Sequence, residues 1–119
     1  KMHKFENLLF WKKSMELAKQ IYLVCQDISS DEKFDLISQM KRAAISIPSN
    51  ISEGCGRNSD KELSHFLAIA LGSAFELQTQ LILTKELGLL NFEVVDSLLS
   101  NVSEIQKMIY SFKNNLNKN

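Results

Sequence analysis

The stretch NFEVVDSLLSNVSEIQKMIYSFKNNL, residues 91–116, has the clearest helical pattern in the sequence. Its apolar residues recur at alternating intervals of three and four, the spacing that places them on one buried face of a bundled α-helix. That face consists of Val95, Leu98, Val102, Ile105, Ile109, Phe112 and Leu116. Most other positions are polar, and Asn91 stands before the pattern as a helix-capping residue. The sequence therefore predicts an amphipathic helix over residues 92–115.

The same spacing predicts three earlier helices, at residues 7–29, 35–56 and 60–88. The first is expected to bury Leu8, Trp11, Met15, Ala18, Tyr22 and Cys25, with a second row of Leu17, Ile21, Val24 and Ile28 beside them. The second is expected to bury Leu36, Met40, Ala43, Ala44, Ile47 and Ile51. The third is expected to bury Leu63, Leu67, Ala70, Ala74, Leu77 and Leu81.

Proline, glycine and capping residues refine the predicted shape and bounds of the second and third helices. Pro48 lies inside the second helix, so we expect a bent helix or two short ones, because proline removes a backbone donor. Gly54 and Gly56 are expected to end that helix. Ser59 and Glu62 have the spacing of a reciprocal capping box that opens the third helix.

The length and composition suit one helical domain. The chain has 119 residues with only four Gly and one Pro, too few turn formers for many short strands. No stretch sustains the period of two that strands require. Short connections between four helices favour antiparallel neighbours, so we predict an all-α fold over residues 1–119, an antiparallel up-down-up-down four-helix bundle.

The charge balance gives no general preference for nucleic acid or membrane. Lys+Arg and Asp+Glu number 14 each, and only two of the cations are Arg. The N-terminus has no apolar signal region, and the longest apolar run, residues 67–71, is too short to span a bilayer. Two cysteines do not make a disulfide framework. We expect a cytoplasmic protein with no membrane partner.

The sequence offers no set of residues typical of catalysis. His3 and His65 are the only histidines, and neither has further ligands at a spacing that suits a metal. Cys25 lies on the first predicted apolar face, and Cys55 has no neighbouring base. We therefore predict no catalytic residue, no metal, no cofactor and no small-molecule substrate.

A polar row follows one side of the second helix. It consists of Gln39, Arg42, Ser46, Asn50, Glu53 and Arg57. A matching row on the third helix consists of His65, Gly72, Ser73, Glu76 and Gln80, where Gly72 would allow close helix approach. If the rows face each other, Arg42 or Arg57 could pair with Glu53 or Glu76. Three interpretations stay open: a structural network or subunit contact, a solvated face, and a ligand or catalytic site.

Two surface features point to partners. The cations Lys12, Lys13, Lys41, Arg42, Arg57 and Lys61 are either solvated surface or a basic patch that contacts RNA or DNA. Apolar residues also lie outside the predicted core faces: Ile45 on the second helix, and Phe66, Ile69, Phe75, Ile82 and Leu83 on the third. A helix that is apolar nearly all round must be covered on several sides, so we predict a homo-oligomer.

Three motifs resemble a known bacterial family. They are Leu8-x-x-Trp11, then QMKRAAxSIPxNIxEG over residues 39–54, then FLxIAxGSxxEL over residues 66–77. The chain resembles the four-helix-bundle proteins encoded in intervening sequences of 23S ribosomal RNA genes, often called the S23 ribosomal protein family. The resemblance covers essentially the whole chain. It implies an up-down bundle that assembles as a ring, typically a homopentamer.

The resemblance also carries functional expectations. A related branch, the accessory variability protein of diversity-generating retroelements, is a basic pentameric barrel that binds nucleic acid and a reverse transcriptase. The family's polar signature falls here on Arg42, Ser46, Asn50, Glu53, Ser73 and Glu76, expected between the second and third helices or at a subunit interface. We predict a non-enzymatic homo-oligomer that contacts RNA or DNA; the alternative is a protein–protein adaptor without nucleic-acid binding.

Overall fold

A computed structural model describes residues 3–29, 31 and 33–116 of the chain. After a short 3-10 turn at Phe5–Asn7, the fold has four α-helices. They are α1 (Leu9–Cys25), α2 (Phe34–Cys55), α3 (Asp60–Glu86) and α4 (Phe92–Leu116). No strand occurs in the described ranges. The predicted all-α class is confirmed.

Each helix packs against two neighbours, in the ring order α1, α2, α3, α4 and back to α1. The α2–α3 contact is the most extensive, and in the described chain no Cα atoms of the diagonal helix pairs lie within 8 Å of each other. The principal extents are 48 × 20 × 19 Å, which matches helices of about 40 Å lying side by side. Residues 56–59, which link α2 to α3, are too few for anything but an antiparallel return. The predicted four-helix bundle is confirmed.

The predicted faces of α2, α3 and α4 form most of the core. Met40, Ala44, Ile47 and Ile51 are fully buried on α2, and every predicted position of α3 is 3% exposed or less. On α4 the face is buried as far as Ile109, and its last two members pack half-buried against the end of the core. Each fully buried aliphatic side chain stabilises the fold by roughly 1.5–3 kcal/mol.

The predicted face of α1 is partly wrong. Met15 is 46% exposed and Tyr22 is 40% exposed, whereas Leu17 and Ile21 of the second row are at 1% and 0%. Helix α1 carries two adjacent apolar rows, and spacing alone cannot say which row turns inward. Packing against α2 and α4 selects the row of Leu17 and Ile21.

The bounds of α1 also differ from the prediction. The helix begins at Leu9 rather than near residue 7, and Leu8 precedes it without a side-chain cap. It ends at Cys25, four residues before the predicted end. The next three amides donate to carbonyls three residues back, the last from Ile28 to Cys25, so the chain tightens and leaves the α-helical path. The other three helices end within two residues of their predicted bounds.

Helix α2 continues through Pro48 without interruption, so the alternative of two short helices is wrong. Gly56 caps the helix with right-handed backbone angles, φ −86°. Gly54 lies inside the helix, where a Cβ would stand 2.8 Å from the Cβ of Phe66 and 3.0 Å from Cδ1 of Leu63. Its predicted role in ending the helix is therefore wrong: Gly54 lets α2 and α3 approach closely.

Both ends of α3 are fixed by local hydrogen bonds. The Glu62 amide donates to Oγ of Ser59 at 3.1 Å, and the Ser59 hydroxyl donates to the Glu62 carboxylate at 3.4 Å. The first bond is the predicted cap; the second replaces the expected return bond to the Ser59 backbone. At the other end Gly88 adopts φ +69°, and the amide of Leu89 donates to the Thr84 carbonyl.

Candidate interaction surfaces

A small polar cluster joins the middle of α2 to α3. The hydroxyls of Ser46 and Ser73 lie 2.7 Å apart. The Asn50 side-chain amide donates to the Ser46 carbonyl at 2.8 Å and to the Ser46 hydroxyl at 3.0 Å. Ser73 is 9% exposed, so leaving its hydroxyl unpaired would be costly. The bond between the two hydroxyls joins α2 to α3, and the bonds of Asn50 hold Ser46 in place from within α2.

The charged members of the predicted polar row point outward instead. Arg42, Glu53 and Glu76 are exposed, and no ion pair within 4.0 Å includes any of them among the described residues. Arg57 bonds Glu62 at 3.3 Å, with its guanidinium 5.1 Å from the centre of the Phe66 ring. The predicted pairing of Arg57 with Glu53 or Glu76 is wrong. Arg57 follows the end of α2, where the chain has already turned towards the first turn of α3.

Gly72 does not have its predicted role. It lies exposed on α3, and a Cβ built on it would meet nothing within 4 Å. The glycine that brings α2 and α3 together is Gly54, near the end of α2. Gly72 therefore opens space on the outer surface of the bundle.

The predicted cationic set is divided among several sides of the bundle. Lys13 turns to α4, where it bonds Glu104 at 3.3 Å, and Arg57 turns to α3. Lys12 and Lys41 remain between α1 and α2, with the Lys41 ammonium 5.0 Å above the ring of Tyr22. Lys61 is exposed in the first turn of α3. Contact with RNA or DNA through these residues stays a prediction.

An open groove of about 720 Å³ runs between α1 and α2. We call this the α1/α2 groove; its lining consists of Trp11, Lys12, Met15, Glu16, Ala18, Lys19, Tyr22, Ile45, Pro48, Ser49 and Ser52. Ile45 is 43% exposed, as the sequence predicted from its position outside the α2 face. The sequence does not predict the groove, because the spacing of α1 places Met15 and Tyr22 in the core. Their alternation with the row of Leu17 and Ile21 was the available signal.

The outward side of α3 is also apolar. Ile69, Phe75, Ile82 and Leu83 are 40–53% exposed. By length and composition alone α3 is long and apolar enough to cross a membrane, a property that core helices of water-soluble proteins also have. Its inner face packs between α2 and α4 in the core. The apolar character of α3 exceeds what the core of one chain covers.

The thiols have an environment that suppresses reaction. Cys25 and Cys55 are both free and buried, and burial raises the pKa of each thiol, with Lys41 partly opposing the rise at Cys25. A raised pKa leaves little thiolate at neutral pH. Within the residues described, no group of three or more His, Cys, Asp or Glu side chains is placed to hold a metal ion.

The fold and these surfaces define a small four-helix-bundle protein with apolar side chains on its outside. Residues 6–111 match the family described as 23S rRNA-intervening sequence protein, and the chain belongs to that family. The predicted family is confirmed. The kinship with accessory proteins of diversity-generating retroelements stays a prediction.

A solved structure supports the same family. The chain is similar to a protein of unknown function from the S23 ribosomal protein family of Bacteroides thetaiotaomicron, whose crystal structure extends to 1.70 Å resolution. The two are 27% identical with a TM-score of 0.83, covering 88% of this chain and 98% of that one. None of the curated proteins compared with the chain matches it.

Proposed function

We propose that this protein is a non-enzymatic, self-assembling four-helix bundle. The observation that carries the proposal is the outer surface of α3, where Ile69, Phe75, Ile82 and Leu83 remain 40–53% exposed. A row of apolar side chains along the outward side of one helix is typical of an interaction site. A second copy of the chain covers them without any further component.

The size of the chain is compatible with such an interface. A stable protein–protein interface buries about 800 Å² on each partner. The accessible surface of the chain is 7096 Å², so each contact would cover roughly a ninth of it. Arg42, Glu53 and Glu76 form no ion pair with another described residue, and their charges would gain partners in an assembly.

A structural role is also favoured by the chemistry of the surface. Glu53 and Glu76 are exposed to solvent on the outside of the bundle, whereas the reacting groups of enzymes usually lie in a cleft. The two thiols are buried and their pKa values are raised, which disfavours nucleophilic attack. These observations support binding and assembly over catalysis.

The test is the mass of the purified protein in solution. One chain has a mass of 13.6 kDa, and the family resemblance implies an assembly of five. Size-exclusion chromatography with light scattering should give a multiple of the single-chain mass at micromolar concentration. A mass of one chain under these conditions contradicts the proposal.

A second candidate function is contact with RNA or DNA, favoured by the position of Lys12 and Lys41 on the same side of the bundle. Binding of structured rRNA fragments at low salt, measured by mobility shift, should weaken in the variant Lys12→Gln/Lys41→Gln. The slope of the logarithm of the binding constant against the logarithm of the salt concentration should also fall by about one for each lysine removed. The exposed Lys107 on α4 provides a control, Lys107→Gln. No binding at low salt favours the adaptor alternative.

A further inference from the structure

We propose that the copies associate head to tail, with the outer side of α3 from one chain lying in the α1/α2 groove of the next. This inference rests on the proposed self-assembly and names the two surfaces that meet. The surface on α3, called the α3 ridge below, consists of Gly72, Phe75, Thr79 and Ile82.

The α1/α2 groove has the shape and lining to take a helix. Ala18 and Pro48 are buried at its base, and Met15, Tyr22 and Ile45 stand half-exposed along its sides. From Trp11 to Tyr22 the groove extends along three turns of α1, about 16 Å. That length accommodates three turns of a crossing or parallel helix.

The α3 ridge offers a matching apolar surface. Phe75 and Ile82 are seven residues apart, so they project from the same side of α3 two turns apart. Thr79 lies between them, and its hydroxyl donates to the Phe75 carbonyl at 3.0 Å. Because that bond satisfies the hydroxyl within the helix, Thr79 adds little polar character to the ridge.

Gly72 is an independent sign of a close partner. Glycine in the middle of a helix makes the helix less stable than alanine would, so the presence of Gly72 needs a reason. Nothing in the described chain comes within 4 Å of a Cβ at this position, so packing inside the bundle gives none. A missing side chain beside Phe75 lets the backbone of another helix approach the ridge closely.

The charges beside the two surfaces favour this pairing over a symmetric one. Lys12 lines the groove beside an ion pair of Lys19 with Glu16 at 3.8 Å, and Lys41 lies over Tyr22 at the end of the groove. Glu76 and Glu86 are exposed on α3 near the ridge. Two grooves placed together would bring lysines together, and two ridges would bring carboxylates together. A groove facing a ridge places opposite charges next to each other.

Two different surfaces on one chain produce a heterologous contact. Each copy then offers a groove to one neighbour and a ridge to the other, so the assembly closes as a ring or extends as a filament. A two-fold dimer, in which one surface meets itself, does not arise from this pairing.

Complementary variants test the inference. Ile45→Glu disables the groove and Phe75→Glu disables the ridge; both side chains are exposed, so the fold should persist. Each variant alone should have the mass of one chain, 13.6 kDa. An equimolar mixture keeps one intact groove and one intact ridge, and should form a 1:1 pair of twice that mass.

Controls separate this inference from the proposed function. Leu23→Glu replaces an equally exposed apolar residue of α1 outside the groove and should assemble like the unaltered protein. In Gly72→Gln the new side chain has free space in the single chain, so the fold should persist. This variant should also lose assembly, while its circular dichroism spectrum remains that of a helical protein. Suppose that the unaltered protein assembles. If Ile45→Glu or Phe75→Glu alone also assembles, or if a mixture of these two variants stays monomeric, head-to-tail contact is overturned while self-assembly stands. A monomeric unaltered protein refutes both.

Discussion

Gly54 of α2 lies directly against Phe66 of α3, so closely that a Cβ on the glycine would stand 2.8 Å from the Cβ of the phenylalanine. The contact lies at the end of α2, just before residues 56–59 connect it to α3. A short link forces the two helices together at this end of the bundle. Glycine permits the approach because it has no side chain.

We expect Gly54→Ala to destabilise the bundle. The added methyl group meets Cβ of Phe66, which cannot move unless α3 moves, and overpacking of this kind costs about 1–3 kcal/mol. The better helix propensity of alanine returns only about 0.5–1 kcal/mol. Urea unfolding should therefore show a lower free energy of unfolding.

The matched control is Gly72→Ala, made in the Phe75→Glu background so that assembly does not affect the measurement. With nothing within 4 Å of the new Cβ, this change should stabilise the chain by about 0.5–1 kcal/mol. Equal effects of the two substitutions would contradict a packing role for Gly54.

Removal of one hydroxyl from the Ser46–Ser73 pair should reveal coupling between α2 and α3. Ser73→Ala is expected to lower the free energy of unfolding by about 1 kcal/mol, because the remaining hydroxyl loses a partner in a partly buried site. In a double-mutant cycle with Ser46→Ala the two losses should not add. Additive losses would mean that the 2.7 Å contact contributes nothing to stability.

The start of α3 depends on Ser59. Its Oγ accepts the Glu62 amide at 3.1 Å, so Ser59→Ala should cost about 1 kcal/mol in thermal or urea unfolding. Ser64→Ala, one turn further into the helix, removes a similar hydroxyl from a position without a capping bond and serves as the control. A loss at Ser64 as large as that at Ser59 would argue against the cap.

Alkaline pH should destabilise the protein through its thiols. Burial raises the pKa of Cys25 and Cys55 above the ordinary value of 9.0. Above that pH the unfolded chain releases thiol protons that the folded chain retains, so the free energy of unfolding falls as pH rises. Below it both states hold the protons and the effect is absent.

The measurement compares urea unfolding at pH 8 and pH 10 for the unaltered chain and for Cys25→Ala/Cys55→Ala. The alkaline loss of stability should be smaller in the variant, because the two proteins differ only in the thiols. The cavity left by each substitution lowers stability equally at both pH values. An identical pH dependence would contradict the contribution of the thiols.

The buried face could be predicted from the sequence in some helices and not in others. In α4 one apolar row alternates with polar residues, so the buried face could be predicted to Ile109 without ambiguity. In α1 two apolar rows lie side by side, and the prediction placed Met15 and Tyr22 in the core although both are exposed. Local spacing reports which residues share a face. It cannot report which face a neighbouring helix covers.

The candidate surfaces were only partly predictable for the same reason. The polar row of α2 could be read from its spacing, and Ser46, Asn50 and Ser73 do meet. The partner of Arg57 could not be predicted from helical spacing, because the turn between α2 and α3 is what brings Glu62 next to it. The α1/α2 groove likewise requires two helices at a defined distance.

The helical class, the family, the approximate helix bounds and the excess of apolar residues on α3 could all be predicted from the amino-acid sequence. These follow from periodicity, capping residues and local motifs, which act over a few turns of one chain segment. The tertiary structure decided which row of α1 faces the core, which glycine joins α2 to α3, and where Arg57 pairs. Each of these depends on the distance between segments far apart in the chain, which is set by how whole helices pack.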